Sequence, residues 1–139
     1  ALPPLIGPAG RSVRDAAEGT GYVICSGSKK ISVLTDTGWV NTSMLEKMSG
    51  SDLYYIESNH DEEMLEKGPY SYYLKRRVRS EEGHLSNMQA ADLIKKSLKD
   101  KNELVFLAHL SHENNTEKKN LENEEMLPRK EKDCLFIIE

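Results

Sequence analysis

The sequence predicts a single α/β domain with a mixed sheet that helices cover mainly on one face. Short β-branched and apolar runs alternate along the chain with segments of helical periodicity, which is the pattern of layered α/β proteins. Turn residues and the breaker pair Gly68-Pro69 separate these segments. A length of 139 residues, with 37% hydrophobic and 30% charged residues, fits one polar globular domain over 1–139.

The first part of the chain is predicted to contain an extended arm and a β-hairpin. Residues 1–12 begin with ALPPLIGPAG, whose prolines and glycines follow no period, and are predicted to form the arm. Residues 22–25 and 30–34 are β-branched runs joined by Ser-Gly-Ser-Lys, which predicts a hairpin. A short polar helix is predicted at 43–48, and the apolar run 53–56 is predicted to be a buried strand.

Helices dominate the second part of the prediction. Ser86 is a suitable N-cap, and Met88, Ala91 and Ile94 recur behind it at helical spacing. Residues 116–139 are predicted to form a charged helix and a last strand. The predicted helices are 61–67, 70–78, 87–98 and 116–126, and the predicted strands are 104–108 and 135–138.

Charge and cysteine content exclude several classes of protein. A formal net charge of -4 gives no overall attraction to nucleic acid, so such binding would need a local basic patch. The basic cluster at 75–79 is interpreted as a solvated helix face, with contact to phosphates as the alternative. The neighbouring Tyr72 and Tyr73 are expected to pack in the core. Two cysteines are too few for a disulfide framework or a zinc knuckle.

The histidines and the apolar runs exclude further classes of protein. Four histidines, with neither HxHxDH nor HExxH, make a self-contained dinuclear metal hydrolase hard to build. No apolar run approaches the roughly 20 residues of a membrane span, and no signal-peptide pattern is present. A cytoplasmic location without membrane contact is therefore expected.

Polar residues follow three of the predicted strands where these strands end. Asp36 follows the second hairpin strand, Glu57 follows the next strand, and His109 follows the one after it. His84 stands in a further polar segment, just before the helix at 87–98. Ligands of open α/β sheets bind beyond the carboxyl ends of strands, so these side chains are expected to share one crevice.

Three segments of the chain resemble a known family. TDTGWV, ESNHDEEMLEKGPYSYYLKRRVRSEEGHLSN and AHLSHENN, in that order, resemble the second half of metallo-β-lactamase-fold hydrolases of the YycJ/WalJ type, which are relatives of ribonuclease Z. The resemblance covers about residues 13–115. It implies half of an αββα sandwich, a dinuclear zinc or manganese site, and phosphodiesterase chemistry in the form of 5′-to-3′ exonuclease action on DNA.

The resemblance also implies roles for four residues. Asp36 matches the carboxylate that bridges the two metals, a task that suits a carboxylate because its two oxygens can each hold a cation. His109 matches the histidine that completes the shell of the second metal. His84 matches a histidine near the scissile phosphate, a proton donor or transition-state stabiliser. Glu57 can orient that histidine by accepting its other N–H.

The sequence also departs from the pattern of the family. The HxHxDH motif belongs to the first half of the family fold and has no counterpart in these residues. Arg14 stands where the family has a further histidine ligand, and an arginine cannot bind a cation because it stays protonated. Two ligands do not suffice for two metals, so the chain by itself is expected to be inactive, and it stays open whether it binds any metal.

Two functions therefore remain open from the sequence. The chain is either an incomplete metal-dependent hydrolase, whose site is completed elsewhere, or a non-catalytic binding or assembly module of the same descent. Half of a two-sheet sandwich would leave an apolar sheet face in water, which soluble monomers rarely tolerate. The expected partner is therefore a second copy of the chain or a separate chain that covers this face, and nucleic acid is the other expected partner.

Overall fold

The structure is a computed structural model that describes residues 10–14, 20–99, 101–125 and 134–138. Within these ranges six strands form one sheet in the order β1-β2-β3-β4-β5-β6, so that every strand lies beside its neighbour in the sequence. The strands are β1 Gly10–Arg14, β2 Thr20–Ser26, β3 Lys29–Thr35, β4 Leu53–Glu57, β5 Glu103–Ala108 and β6 Cys134–Ile138.

The direction of the strands divides the sheet into two parts. The first three strands pair antiparallel, and the β2–β3 hairpin turns at Gly27, whose φ of 58° lies in the left-handed region that glycine adopts readily. The strands from β3 to β6 pair parallel to one another. The carboxyl ends of β3, β4 and β5 consequently meet at one edge of the sheet.

Five helices occur among the described residues, and their caps explain where they begin. Asn41, Asp61, Ser71 and Ser86 each accept a backbone N–H from the first turn of the helix that follows, and Gln89 completes a capping box with Ser86. The helices are α1 Thr42–Met48, α2 Glu62–Lys67, α3 Tyr72–Arg79, α4 Asn87–Ser97 and α5 Glu117–Glu125.

One face of the sheet carries the hydrophobic core. Alternate residues of the central strands, such as Leu34, Ile56 and Leu107, are buried against the apolar sides of α1 and α4, which contribute Met48 and Ile94. The residues between them are only partly buried, as in the pattern of β5. The predicted α/β fold, with helices mainly on one face of a mixed sheet, is confirmed.

Four expectations need correction or lie outside the described ranges. Residues 1–9 of the predicted arm are not described, and from Gly10 onward the chain forms β1 instead, because its backbone pairs with β2. The helix predicted at 70–78 begins only at Tyr72, since Ser71 caps it. Tyr72 and Tyr73 do not pack in the core, because they are 67% and 82% exposed on α3. The end of the helix predicted at 116–126 also lies beyond the described residues.

In the part of the chain that the structure describes, every helix is too short or too polar to cross a membrane.

Candidate metal centre

Four potential metal ligands converge at the carboxyl edge of the three parallel strands. Asp36 directly follows β3, Glu57 ends β4, and His109 directly follows β5. His84 comes from the loop between α3 and α4. Each of the four offers one ligand atom, and all these atoms lie within 4.8 Å of one another. The topology thus brings together Asp36 and His109, which are 73 positions apart in the sequence.

Glu57 lies at the centre of this group. Its side chain is 0% exposed, and its Oε1 accepts hydrogen bonds from His84 Nδ1 and from His109 Nδ1, each at 2.6 Å. The two imidazole rings stand edge to face, with their centroids 5.2 Å apart. Both histidines use Nδ1 for Glu57, so Nε2 is the ring nitrogen left to each for a metal or a substrate.

Asp36 closes the group on its solvent side. Its Oδ1 lies 3.8 Å from His84 Nδ1 and 3.7 Å from His109 Nδ1, distances of ion pairs rather than of hydrogen bonds. Asp36 and His109 both have left-handed backbones, with φ of 56° and 58°. Such conformations cost free energy in residues other than glycine and concentrate at functional sites. The backbone therefore turns both side chains toward the edge at a local cost in strain.

The loop that carries His84 is fixed to β4 and to α3. The His84 N–H donates to the carbonyl of Val78 at 2.9 Å, and the Asn59 N–H donates to the carbonyl of Leu85 at 2.9 Å. His60 forms a parallel bridge with Ser86, the cap of α4. These backbone contacts extend the edge of the sheet and hold His84 over Glu57.

A network of buried amides supports the site, and sequence reasoning missed it. Asn87 and Asn115 form a reciprocal pair in which each Nδ2 donates to the other Oδ1 at 2.8 Å. Asn115 also donates to the carbonyl of Ser58 at 3.0 Å, and Asn59 donates to the carbonyl of His109 at 2.9 Å. The only sequence signal was the density of asparagine after β4 and β5, which also fits ordinary polar loops.

Two pKa shifts follow from this arrangement. The hydrogen bond to Glu57 raises the pKa of His84 above its ordinary value of 6.5, although partial burial opposes the shift. Burial lowers the pKa of His60 to about 4, so this histidine is neutral at pH 7. His112 is exposed.

The donor set fits one divalent cation better than two. The two carboxylates and two imidazoles offer four oxygen and nitrogen donors, but Nδ1 of each histidine is already hydrogen-bonded to Glu57, so the group has donors for one cation at most. Glu57 Oε2 is buried without a hydrogen-bond partner among the described residues, so an acceptor oxygen is available in the site. Two cations need more donors than this group has. Arg14, at the expected position of a further ligand, ends β1 opposite Thr20.

Comparison with known proteins gives this site a context. The chain is 40% identical over 101 residues to proteins described as "Exodeoxyribonuclease YycJ" from Bacillus anthracis and "Exodeoxyribonuclease WalJ" from Streptococcus pneumoniae. The match covers 73% of this chain and 38% of each relative, so the chain spans well under half of their length. No model of a protein family matches the chain.

A solved structure shows the same fold. The metallo-β-lactamase fold protein YhfI from Bacillus subtilis aligns with a TM-score of 0.64 over 100% of this chain and 52% of its own, at 16% identity. At this identity the likeness shows the fold, and the four-residue group of possible metal ligands lies at the edge of its sheet. The resemblance inferred from the sequence is thus confirmed: the chain is a homologue of the YycJ/WalJ exodeoxyribonucleases and has the metallo-β-lactamase fold.

Proposed function

We propose that this chain is part of a metal-dependent hydrolase that cleaves phosphodiester bonds in DNA as an exonuclease, and that it is inactive by itself. The observation that carries the proposal is the convergence of Asp36, Glu57, His84 and His109 within 4.8 Å at the carboxyl edge of the sheet. The relatives named exodeoxyribonucleases support DNA as the substrate. A DNA substrate in turn favours the cytoplasmic location expected from the sequence.

Two of the four residues would bind the metal, and the other two would serve proton transfer. Asp36 and His109 would hold a divalent cation, zinc or manganese, through a carboxylate oxygen and an imidazole nitrogen. When bound, such a cation polarises a phosphodiester and lowers the pKa of a bound water. The metal would thus supply charge stabilisation that the described side chains lack.

His84 would act on the phosphate with Glu57 behind it. Glu57 holds His84 Nδ1 at 2.6 Å, which fixes the ring and leaves Nε2 to face a substrate oxygen. A protonated His84 can then donate its Nε2 proton to the oxygen of the leaving group. Glu57 is buried and its Oε1 is hydrogen-bonded to both histidines, so it would act as a positioning residue for both.

The exposed face of the sheet indicates how the enzyme would be completed. Ile31 is 36% exposed, and Val33, Tyr55 and Phe106 on the same face are only partly buried. Register places Val33 beside Tyr55 and Tyr55 beside Phe106, so they form a continuous apolar row across three strands. We propose that a second sheet packs on this row, supplied by a second copy or by a separate chain that also brings the missing metal ligands.

One observation favours a second candidate, a non-catalytic binding or assembly module. The described donor group suffices for one cation, and Arg14 occupies the position that the family resemblance assigns to a histidine. A cation at that position would repel a second metal. Such a module would keep the fold and the face that binds a partner, but it would not cleave DNA.

Metal titration and a cleavage assay distinguish the two candidates. Calorimetry of the chain with Zn²⁺ or Mn²⁺ is expected to show one cation per chain, and both Asp36→Asn and His109→Ala should weaken binding about 10- to 100-fold. Asp92→Asn is the matched control, because Asp92 is exposed and pairs with Lys96 on its own helix. Failure of the chain to bind either metal would support the module.

The cleavage assay tests the activity itself. The chain alone should not degrade a 5′-phosphorylated oligodeoxynucleotide. Co-expression with the part of the Bacillus anthracis relative outside the matched 101 residues should restore cleavage that a chelator abolishes. Chelator-sensitive cleavage by the chain alone would contradict the proposed incompleteness, and no cleavage by the combined chains would contradict the enzyme.

A further inference from the structure

A cavity of about 270 Å³ opens beside the proposed metal centre. Its walls include Trp39, Leu45, Leu85, Leu93 and Lys96. The cavity is linked to the metal centre through the chain, because the lining residue Gly38 is two positions from Asp36 and Leu85 directly follows His84. Consecutive Cα atoms are about 3.8 Å apart, so the Cα atom of Gly38 lies within about 8 Å of that of Asp36.

The chemistry of the walls suits a flat, partly apolar ligand. Trp39 is the single tryptophan of the chain and is 46% exposed, which is unusual for so large an apolar ring. Leu85 and Leu93 form buried apolar parts of the wall, while Gln89 and Lys96 add polar groups at exposed positions. The volume lies just below the usual range of about 300 to 1,000 Å³ for drug-sized ligands, which favours a small planar group.

The backbone that presents Trp39 is held firmly in place. Buried Thr37 accepts the Trp39 N–H at 3.3 Å through its hydroxyl and donates that hydroxyl to the Trp39 carbonyl at 2.9 Å. The Gly38 N–H donates to the carbonyl of Glu81 at 3.0 Å. A Cβ at Gly38 would lie 1.8 Å from the Ser80 carbonyl oxygen, so only glycine permits this approach. A rigid aromatic surface loses little entropy when it binds a ligand.

We propose that Trp39 stacks on a nucleobase of single-stranded DNA, with the cavity as a base-binding subsite next to the cleaved bond. Stacking on an exposed aromatic ring is the general way in which proteins bind single-stranded nucleic acid without sequence preference. Lys96 Nζ lies 2.7 Å from the carboxylate of Asp92, which also lines the cavity, so binding of the base would rest on stacking rather than on a phosphate contact. The inference rests on the proposed function for its substrate, and it adds a specificity-determining residue outside the metal centre.

Because Trp39 is the single tryptophan, its fluorescence reports directly on this site. The chain, with a chelator present to prevent cleavage, is titrated with a thymine oligodeoxynucleotide of about eight nucleotides. Trp39 fluorescence should be quenched as the bases stack. An abasic oligonucleotide of equal length, which keeps the phosphates, should leave the fluorescence nearly unchanged. Equal quenching by both oligonucleotides, or no quenching by either, would overturn the inference.

Substitutions separate stacking from simple filling of the cavity. Binding of labelled oligonucleotide, followed by anisotropy, should stay within about threefold for Trp39→Phe and weaken about tenfold for Trp39→Leu, since leucine fills space but cannot stack. Circular dichroism checks that both variants fold. Equal affinity of the two variants would mean that the ring only packs against protein, and it would contradict the proposed subsite.

The base-binding subsite and the nuclease activity can fail independently of each other in these experiments. Base-dependent quenching in a protein that shows no metal-dependent cleavage would leave the subsite standing and reject the nuclease. Restored cleavage in the combined chains, with KM and kcat unaffected by Trp39→Leu, would reject the subsite and leave the nuclease.

Discussion

The carboxylate of Glu57 and the imidazole of His84 form a 2.6 Å hydrogen bond that joins the end of β4 to a loop 27 positions further along the chain. Glu57 is fully buried, so water does not compete for this bond. Its other oxygen, Oε2, has no hydrogen-bond partner among the described residues. A buried oxygen without a donor costs free energy, and a bound cation nearby would offset that cost.

The first prediction concerns the charge of this carboxylate. Glu57→Gln keeps the size of the side chain and an Oε1 acceptor for both histidines, but it removes the negative charge and replaces Oε2, which has no partner among the described residues, with an amide nitrogen. We expect the affinity for Zn²⁺ to fall about 10- to 100-fold, as measured by calorimetry. Glu63→Gln is the control, because Glu63 is exposed and pairs with Lys67 within its own helix. Unchanged affinity in Glu57→Gln would show that Glu57 has no part in the site.

The second prediction concerns acid stability and rests on His60. Its side chain is 2% exposed and its Nδ1 has no partner in the described part of the chain, in keeping with a pKa lowered by burial to about 4. Between pH 6.5 and pH 4 the unfolded chain binds a proton that the folded chain excludes. Stability is therefore fully present above pH 6.5 and falls by about 3 kcal/mol on acidification to about pH 4.

Substitution of His60 isolates this contribution from that of other titrating groups. His60→Leu has no titratable group, so its stability should change less between about pH 7 and pH 4.5 than that of the unaltered chain. Urea unfolding at both pH values measures the difference. The same loss of stability in both proteins would assign the acid sensitivity to other residues.

Local sequence signals predicted most of the fold. The capping serine and the helical spacing behind it placed α4 correctly from Asn87, and the apolar runs placed β4 and β5 within a residue. β1 was not predicted, because Gly10–Arg14 has little β propensity. Its backbone pairing with β2 is what defines it as a strand. Only tertiary structure reveals such a strand.

The proximity of the candidate site residues could also be predicted, but their geometry could not. Parallel strands share an edge, so residues that follow β3, β4 and β5 had to lie near one another. The sharing of one Glu57 oxygen by two histidines depends on contacts across 27 and 52 positions, which no local pattern records. The left-handed backbones of Asp36 and His109 were equally invisible, since neither residue is a glycine. The roles assigned to these residues stay predictions.

The third prediction concerns the buried amide network behind the site. Asn115→Asp keeps the shape of the side chain but replaces with an oxygen the Nδ2 that donates to the carbonyls of Ser58 and Asn59 and to Asn87 Oδ1. Three acceptors would then face a buried carboxylate, and we expect a loss of about 2 to 4 kcal/mol in the free energy of unfolding. Urea unfolding measures it. A loss below about 0.5 kcal/mol would mean that water replaces the amide in the network.

The fourth prediction concerns the close approach of two loops beside the metal centre. Gly38→Ala would place its Cβ 1.8 Å from the Ser80 carbonyl oxygen, and backbone atoms cannot yield as a flexible side chain can. We expect a loss of more than about 3 kcal/mol, measured by thermal or urea unfolding. Gly27→Ala is the comparison, because its Cβ meets nothing within 4 Å and only its left-handed φ is strained. That variant should lose about 1 kcal/mol, and equal losses would contradict the proposed approach.

The last prediction concerns the partly exposed face of the sheet. The isolated chain should self-associate and bind an apolar dye, because a row of apolar residues on this face meets water when no second sheet covers it. Ile31→Lys should shift the chain toward monomer in light scattering, since a charge in the row must be desolvated when the face is covered. Met88→Lys is the control, because Met88 is an apolar residue, 62% exposed, on α4, which packs against the opposite face. A stable monomer that binds no dye before any substitution would mean that the face needs no partner, and it would remove the physical reason for expecting the site to be completed by a second sheet.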